Sequence, residues 1–183
     1  MAYTAQGLVA HARAQLGLPY IYAYYGNKLT TDYNAWSQRT YHSVWASNGR
    51  LNERAKRAAG QVGKYPRAYD CAGLVKSYWM QETPTTAAKY VAAKDKSAQG
   101  LYESCKVRGT VKELPKGEAG ILVFIYDAKN RRMRHVGISD GAGRVIEAQG
   151  FKHRSYRKGA VCGFLDTLGA AGLAGKGKGP NTR

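Results

Sequence analysis

Ile121-Leu122-Val123-Phe124-Ile125-Tyr126, then Met133-Arg134-His135-Val136-Gly137-Ile138-Ser139, then Arg144-Val145-Ile146-Glu147-Ala148-Gln149: three β-prone runs follow in quick succession. The first is continuously apolar, and the other two alternate with the period of two of a pleated strand. Ser139-Asp140-Gly141-Ala142-Gly143 is turn chemistry, so the second and third runs form a hairpin. Gly159 to Leu165 reads as one further strand. Upstream the pattern is helical. Thr4 caps a helix to about Leu16, stopped by Gly17, with Leu8, Val9, Ala12 and Leu16 on one face. A second helix begins near Cys71 and carries Leu74, Val75, Tyr78 and Trp79, and alanine-rich Thr85 to Lys94 predicts a third. Helices first and an antiparallel sheet after them predict an α+β fold.

The 183 residues suffice for one domain, read as 1–168, with 169–183 a Gly-, Ala- and Lys-rich tail or linker. Leu18 to Gly26 is aromatic and extended. Residues 27–68 read as an insertion covering one edge of the core. In it Trp36, Tyr41, Val44 and Trp45 are expected to pack, and a basic helix carries Arg50, Arg54, Lys56 and Arg57 toward Lys64. That helix reads equally as a basic wall for a site or as a solvated face.

The net charge of +17 favours an anionic partner; nucleic acid, an anionic membrane and an acidic cell wall all qualify on charge. No run of eighteen apolar residues offers a membrane span, and the first residues have no charged-then-apolar pattern of a secretory signal. The expectation is a soluble chain that reaches its target through a phage or another delivery machinery. Three cysteines at irregular spacing, Cys71, Cys105 and Cys162, are neither a disulfide framework nor a metal pattern, and one thiol stays unpaired within the monomer. No HExxH, P-loop or paired CxxC occurs, so no metal and no cofactor is expected.

Cys71 enters a helix in Tyr69-Asp70-Cys71-Ala72-Gly73-Leu74-Val75. The partial positive charge of a helix N-terminus favours a thiolate, the nucleophilic form. His135 is expected on the strand face opposite Val136 and Ile138, together with Met133 and Gly137. A turn centred on Gly141 would set His135 directly opposite Glu147, placing a carboxylate to orient the imidazole. A turn at Gly141-Ala142 would set Ala148 there instead; Gln149, on the face of Glu147, is the second candidate for the orienting group. His11 and His42 read as structural or exposed, and His153 as a possible cleft residue in a basic loop; Cys105 and Cys162 read as packing residues.

Four segments in order resemble the NlpC/P60 cysteine peptidases. They are Leu16-Gly17-Leu18-Pro19-Tyr20, Asp70-Cys71-Ala72-Gly73-Leu74-Val75, Gly120-Ile121-Leu122-Val123-Phe124, and His135-Val136-Gly137-Ile138 followed by Val145-Ile146-Glu147-Ala148. The resemblance implies a papain-like core with Cys71 as nucleophile, His135 as base and a polar third residue. It implies cleavage of peptide bonds in the peptidoglycan stem, often between D-glutamate and the diamino acid. Tyr20 matches a tyrosine beside the nucleophile, Asp70 a residue near the substrate amine, and the Cys71 N–H part of an oxyanion hole. Ala72 stands where serine is usual, Glu147 where histidine, asparagine or glutamine is commoner, and the stretch from Tyr20 to Asp70 is long. The expected partners are peptidoglycan and anionic wall polymers, with the protein a monomer; no RNP, KH or helix-turn-helix pattern occurs, so nucleic acid is not expected. The alternatives are a CHAP-like amidase or acyltransferase on the same scaffold, or a non-catalytic basic binder of wall polymer or nucleic acid. For the binder, fourteen tyrosines among twenty-nine Lys and Arg would supply stacking and phosphate contacts.

Overall fold

Thr4 opens the first helix as the sequence predicts, its hydroxyl accepting from the Gly7 N–H at 2.9 Å. The computed structural model describes residues 3–149 and the backbone of 159–162. Helix α1 (Ala5–Arg13) ends sooner than expected: Leu16 lies in the turn that follows and is 70% exposed, off the buried face of Leu8, Val9 and Ala12.

A short strand, β1 (Tyr25–Lys28), pairs antiparallel with β2 (Arg67–Tyr69). The predicted insertion between them is helical: α2 (Thr31–Thr40), α3 (His42–Ala46), a 3₁₀ turn and α4 (Leu51–Ala59). It has its own small core, in which Trp45 and Ala58 pack with Ile21, Tyr24 and Leu29. Trp36 and Tyr41 stack edge to face at 5.8 Å, whereas Val44, expected to pack, is exposed. The helix that begins at Cys71 follows as α5 (Cys71–Met80).

The helix expected over 85–94 does not form; α6 (Ala98–Glu103) forms after it instead. Alanine propensity is worth only tenths of a kcal/mol per residue, and here tertiary hydrogen bonds overrule it. The Arg67 guanidinium takes the carbonyls of Pro84, Thr85 and Thr86, while Ala88 and Lys89 donate to Gly26 and Met80.

Strand β3 (Arg108–Thr110), not anticipated from the sequence, joins β4 (Ala119–Asp127), β5 (Arg132–Asp140), β6 (Val145–Ile146) and β7 (Gly159–Cys162) in one antiparallel sheet ordered β3-β7-β4-β5-β6. The remainder of the predicted last strand, His153 and the 169–183 tail lie outside the described residues. The protein is thus mixed helix and sheet, α+β, with antiparallel sheets.

One face of the large sheet, with Leu122, Phe124, Val136 and Ile138, is covered by α1, α5 and α6 through Leu8, Val75 and Leu101. Each such side chain contributes roughly 1.5–3 kcal/mol by burial. The other face is also apolar, with Ile121 and Val123 under Val107, Val111 and Leu114. Gly120 lets α1 dock this closely: it has φ +83°, and a Cβ there would fall 2.6 Å from the Ala5 Cβ. Among the described residues, no helix is long and apolar enough to cross a membrane.

Candidate functional site

The site is assembled where three local structures meet: the start of α5, the loop from Pro19 to Tyr25, and the edge of β5. Asp70 caps α5, accepting from Gly73 N–H at 2.5 Å through Oδ1 and from Ala23 N–H at 2.9 Å through Oδ2. The loop is laced to the same place by Tyr69 N–H to Pro19 O, Ile21 N–H to Tyr69 O and Asp70 N–H to Tyr24 O. Residue 20 forms a bridge with residue 69, which carries Tyr20 alongside the approach to Cys71. The closeness has two costs in backbone geometry. Ala23 sits at φ +60°, unusual for a residue with a Cβ, and a Cβ at Gly73 would come within 1.9 Å of the Tyr24 carbonyl oxygen. Only glycine fits at 73.

On the other side, β6 pairs with β5 only at Ile138–Ile146 and Ser139–Val145. Beyond Ile138 that edge of β5 is uncovered by β6, and there the Val136 backbone N–H is near enough to the sulfur of Cys71 to pull its thiol toward the charged form. The nucleophile candidate therefore lies against the residue next to His135. His135 itself is buried, 1% exposed, and its Nε2 is 2.6 Å from Oε2 of Glu147. A carboxylate is an acceptor, so it selects the tautomer with the proton on Nε2.

Three expectations are corrected. The hairpin closes as Asp140 N–H to Arg144 O around Gly141, Ala142 and Gly143, two residues away in register from the expected direct opposition of His135 and Glu147. Continued past Ile146, that register would set Gln149 opposite His135 and Glu147 opposite Gly137, so Glu147 reaches the imidazole on the diagonal. Met133 does not share the face of His135: a bulge shifts the pairing between Ile125–His135 and Tyr126–Met133, and Met133 joins the core. The thiolate is not favoured at rest. Burial pushes the Cys71 thiol up to about 12, with the Asp70 carboxylate adding to the effect. The N–H groups of Val136, Ala72 and Cys71 act the other way without overcoming it.

The remaining sequence candidates are placed as follows. Tyr20 is partly buried, and burial, then the neighbouring Cys71 and Asp70, holds its hydroxyl well above the usual tyrosine range. Burial likewise raises the Asp70 carboxyl, against the pull of Lys76 and the Gly73 and Ala23 N–H groups. Gln149 is exposed. His11 is buried and bonded to Ser77 Oγ at 2.8 Å, a structural position, and His42 is exposed. Cys71 is free, while Cys105, expected only to pack, is disulfide-bonded as well as buried. The odd cysteine count had allowed one pair plus one free thiol.

Two features escaped the sequence reading. Arg54 of α4 lies over the Tyr22 ring at 4.1 Å, next to Tyr20, whose ring is 6.3 Å from that of Tyr22. Lys76, buried in α5, pairs with Asp95 at 2.6 Å, and Asp95 also accepts from the Tyr41 hydroxyl at 2.8 Å, tying the inserted helices to α5. The basic, aromatic composition of 20–57 was the signal for the first; nothing local marks the second. A hollow of about 560 Å³ lined by Lys28, Lys64, Tyr65 and Arg67 lies elsewhere, with none of the six candidate site residues in its wall.

Among the described residues, no group of three or more His, Cys, Asp or Glu side chains is arranged to hold a metal ion. Comparison of the chain with family models, with curated proteins and with solved structures finds no match.

Proposed function

We propose that this protein is a papain-like cysteine peptidase of the NlpC/P60 type that cleaves peptide bonds in the peptidoglycan stem, the bond between D-glutamate and the diamino acid being the one its motifs imply. The observation that carries the reading is a buried His135 whose Nε2 is held by Glu147 at 2.6 Å, on the strand whose Val136 N–H lies near the free Cys71 thiol at the head of α5. A free thiol at a helix start, an adjacent imidazole and an orienting carboxylate are the parts required for nucleophilic acyl transfer.

In the proposed reaction Cys71 Sγ attacks the scissile carbonyl carbon while its proton passes to Nδ1 of His135. Because burial raises the Cys71 thiol, the proposed attack and proton transfer proceed together rather than from a stored ion pair. The Cys71 N–H at the head of α5 stabilises the oxyanion. The imidazolium, neutralised by Glu147, returns its proton to the leaving amine, and water then releases the acyl group along the same path in reverse. Tyr20 and Asp70 form the wall on the side of the substrate amine. The charge of +17 supports retention on an anionic wall.

The test is digestion of purified peptidoglycans of several wall types, with mass spectrometry of the fragments. Release of stem peptides ending at D-glutamate, lost in Cys71→Ala with the fold retained, is the expected result. Undiminished lysis by Cys71→Ala would overturn the mechanism.

A further inference from the structure

The guanidinium of Arg54 is fixed from one side only. Its Nη1 donates to the carbonyls of Val44 at 2.9 Å, Trp45 at 2.6 Å and Ser47 at 3.1 Å, and to the Ser47 hydroxyl at 2.9 Å. Its plane rests on the Tyr22 ring at 4.1 Å. Nε and Nη2 have no acceptor among the described residues, and no carboxylate there forms an ion pair with Arg54. A side chain with this many fixed contacts has already lost most of its rotamer freedom. The two unused donors are therefore held in place for a ligand at little further entropic cost.

Its position gives the ligand. Tyr22 is followed by Ala23, whose N–H is bonded to Asp70, and is preceded by Ile21, whose N–H is bonded to Tyr69. Tyr20 neighbours Cys71, the Tyr22 ring is 6.3 Å from that of Tyr20, and Arg54 lies over Tyr22, so a chain of neighbours links Cys71 to Arg54, with the inserted helices supplying only its last member. Two donors of a guanidinium fork match the two oxygens of a carboxylate.

We infer that Arg54 is a specificity-determining residue that binds a substrate carboxylate flanking the scissile bond, so that the 27–68 segment selects acidic over amidated peptides. The inference rests on the peptidase reading above and adds to it which stem peptides are taken. Of the basic residues in this stretch, Arg54 lies against the Tyr22 ring, while Arg50 and Lys56 are exposed.

The experiment compares γ-D-glutamyl-L-lysine peptides carrying the D-glutamyl α-carboxyl group either free or as its amide. The wild type should cleave the free acid with kcat/KM roughly 10- to 100-fold higher, chiefly through KM, the range expected for a charged, paired hydrogen bond. Arg54→Gln should bring that ratio close to one. Because Arg54 also braces α3 on α4, thermal melting checks each variant. Arg54→Lys, which keeps the charge and loses the fork, should fall in between. Binding of both peptides to Cys71→Ala, with and without Arg54→Gln, gives a readout independent of turnover. Arg54-dependent preference for the acid in binding, with no cleavage by the wild type, would uphold the carboxylate site and remove the peptidase. Cleavage with the same acid-to-amide ratio in wild type and both Arg54 variants would overturn the inference and leave the peptidase standing.

Discussion

The Glu147 carboxylate lies 2.6 Å from Nε2 of His135 although the ladder of β5 and β6 does not set the two residues opposite each other. Glu147 sits one residue beyond the end of β6, and the residue that the ladder would set across from it, Gly137, has no side chain to fill the space between. Diagonal neighbours on a sheet remain within reach of a long side chain. In the proposed reaction Glu147 acts on the ring rather than on the substrate, so its loss should appear in kcat with KM little changed. Glu147→Gln keeps an acceptor and loses the charge, and should lower kcat roughly tenfold. Glu147→Ala removes both and should cost roughly a hundredfold, at the lower end of what general acid–base groups supply. Gln149→Ala, at an exposed position, should be milder than either. Steady-state kinetics on a defined stem peptide check this, and a severe Gln149→Ala beside a mild Glu147→Ala would move the third role to residue 149.

The thiol of Cys71 titrates high because burial disfavours its charge and Asp70 adds to the effect. A raised folded value means that the neutral thiol persists above the ordinary thiol value near 9, so the rate of alkylation by iodoacetamide should keep climbing as pH rises from 9 toward about 12. Asp70→Asn keeps an N-cap for α5 while removing the negative charge. It should displace the alkylation profile to lower pH and speed labelling at pH 8. A rate in the wild type that is already maximal and flat between pH 5 and 8 would instead require a resting thiolate–imidazolium pair.

His11 gives a pH dependence of stability that is separate from catalysis. It is 3% exposed, bonded to Ser77, and burial followed by the nearby Arg67 depresses it to about 4. The native state therefore prefers the neutral ring. That preference stabilises the fold fully above the unfolded value of 6.5 and is lost as pH falls through about 4. The drop across this window should be about 3 kcal/mol, since one unit is about 1.4 kcal/mol. Denaturant titrations from pH 7 to 4 should show it, and His11→Gln should flatten the curve. An equally steep loss in His11→Gln would assign the acid sensitivity to other groups.

What the sequence disclosed depended on how local the cause was. The α5 start was legible near Cys71 from the helical run carrying Leu74, Val75, Tyr78 and Trp79, whereas the Asp70 cap and the close approach at Gly73 emerge only in the fold. Strands β4 and β5 were legible from their long apolar and alternating runs. The loss of a helix over 85–94 was not, because its cause is a guanidinium eighteen residues away at Arg67. The face of Met133 was misread because one bulge reverses the alternation, and the hairpin register because the turn is centred on Ala142 rather than Gly141. At the site, Cys71 and His135 could be proposed from their own segments. The contribution of Arg54 depends on the inserted helices folding back over Tyr22, a contact between distant stretches that no local pattern encodes.

Gly73 offers a test of how tightly the nucleophile is placed. A methyl group there would lie 1.9 Å from the Tyr24 carbonyl oxygen and 2.9 Å from Asp70 Oδ1, so α5 must move away from the loop or the loop must give. The loop is already constrained, since Ala23 holds φ +60° in order to donate its N–H to Asp70. Gly73→Ala should therefore destabilise the fold by about 2 kcal/mol or more, as overpacking against backbone does. It should also cut kcat disproportionately, because the displaced helix carries Cys71 away from the β5 edge. Ala23→Gly is the informative contrast. It relieves a left-handed alanine, worth about 1–2 kcal/mol, against the roughly 0.5–1 kcal/mol that glycine adds to the unfolded chain's entropy. Its net effect should be between neutral and about 1 kcal/mol stabilising, with activity retained. Denaturant melts and kcat for the two variants side by side decide the matter: a Gly73→Ala protein as stable and active as the wild type would mean that the loop and α5 are not packed this closely in solution.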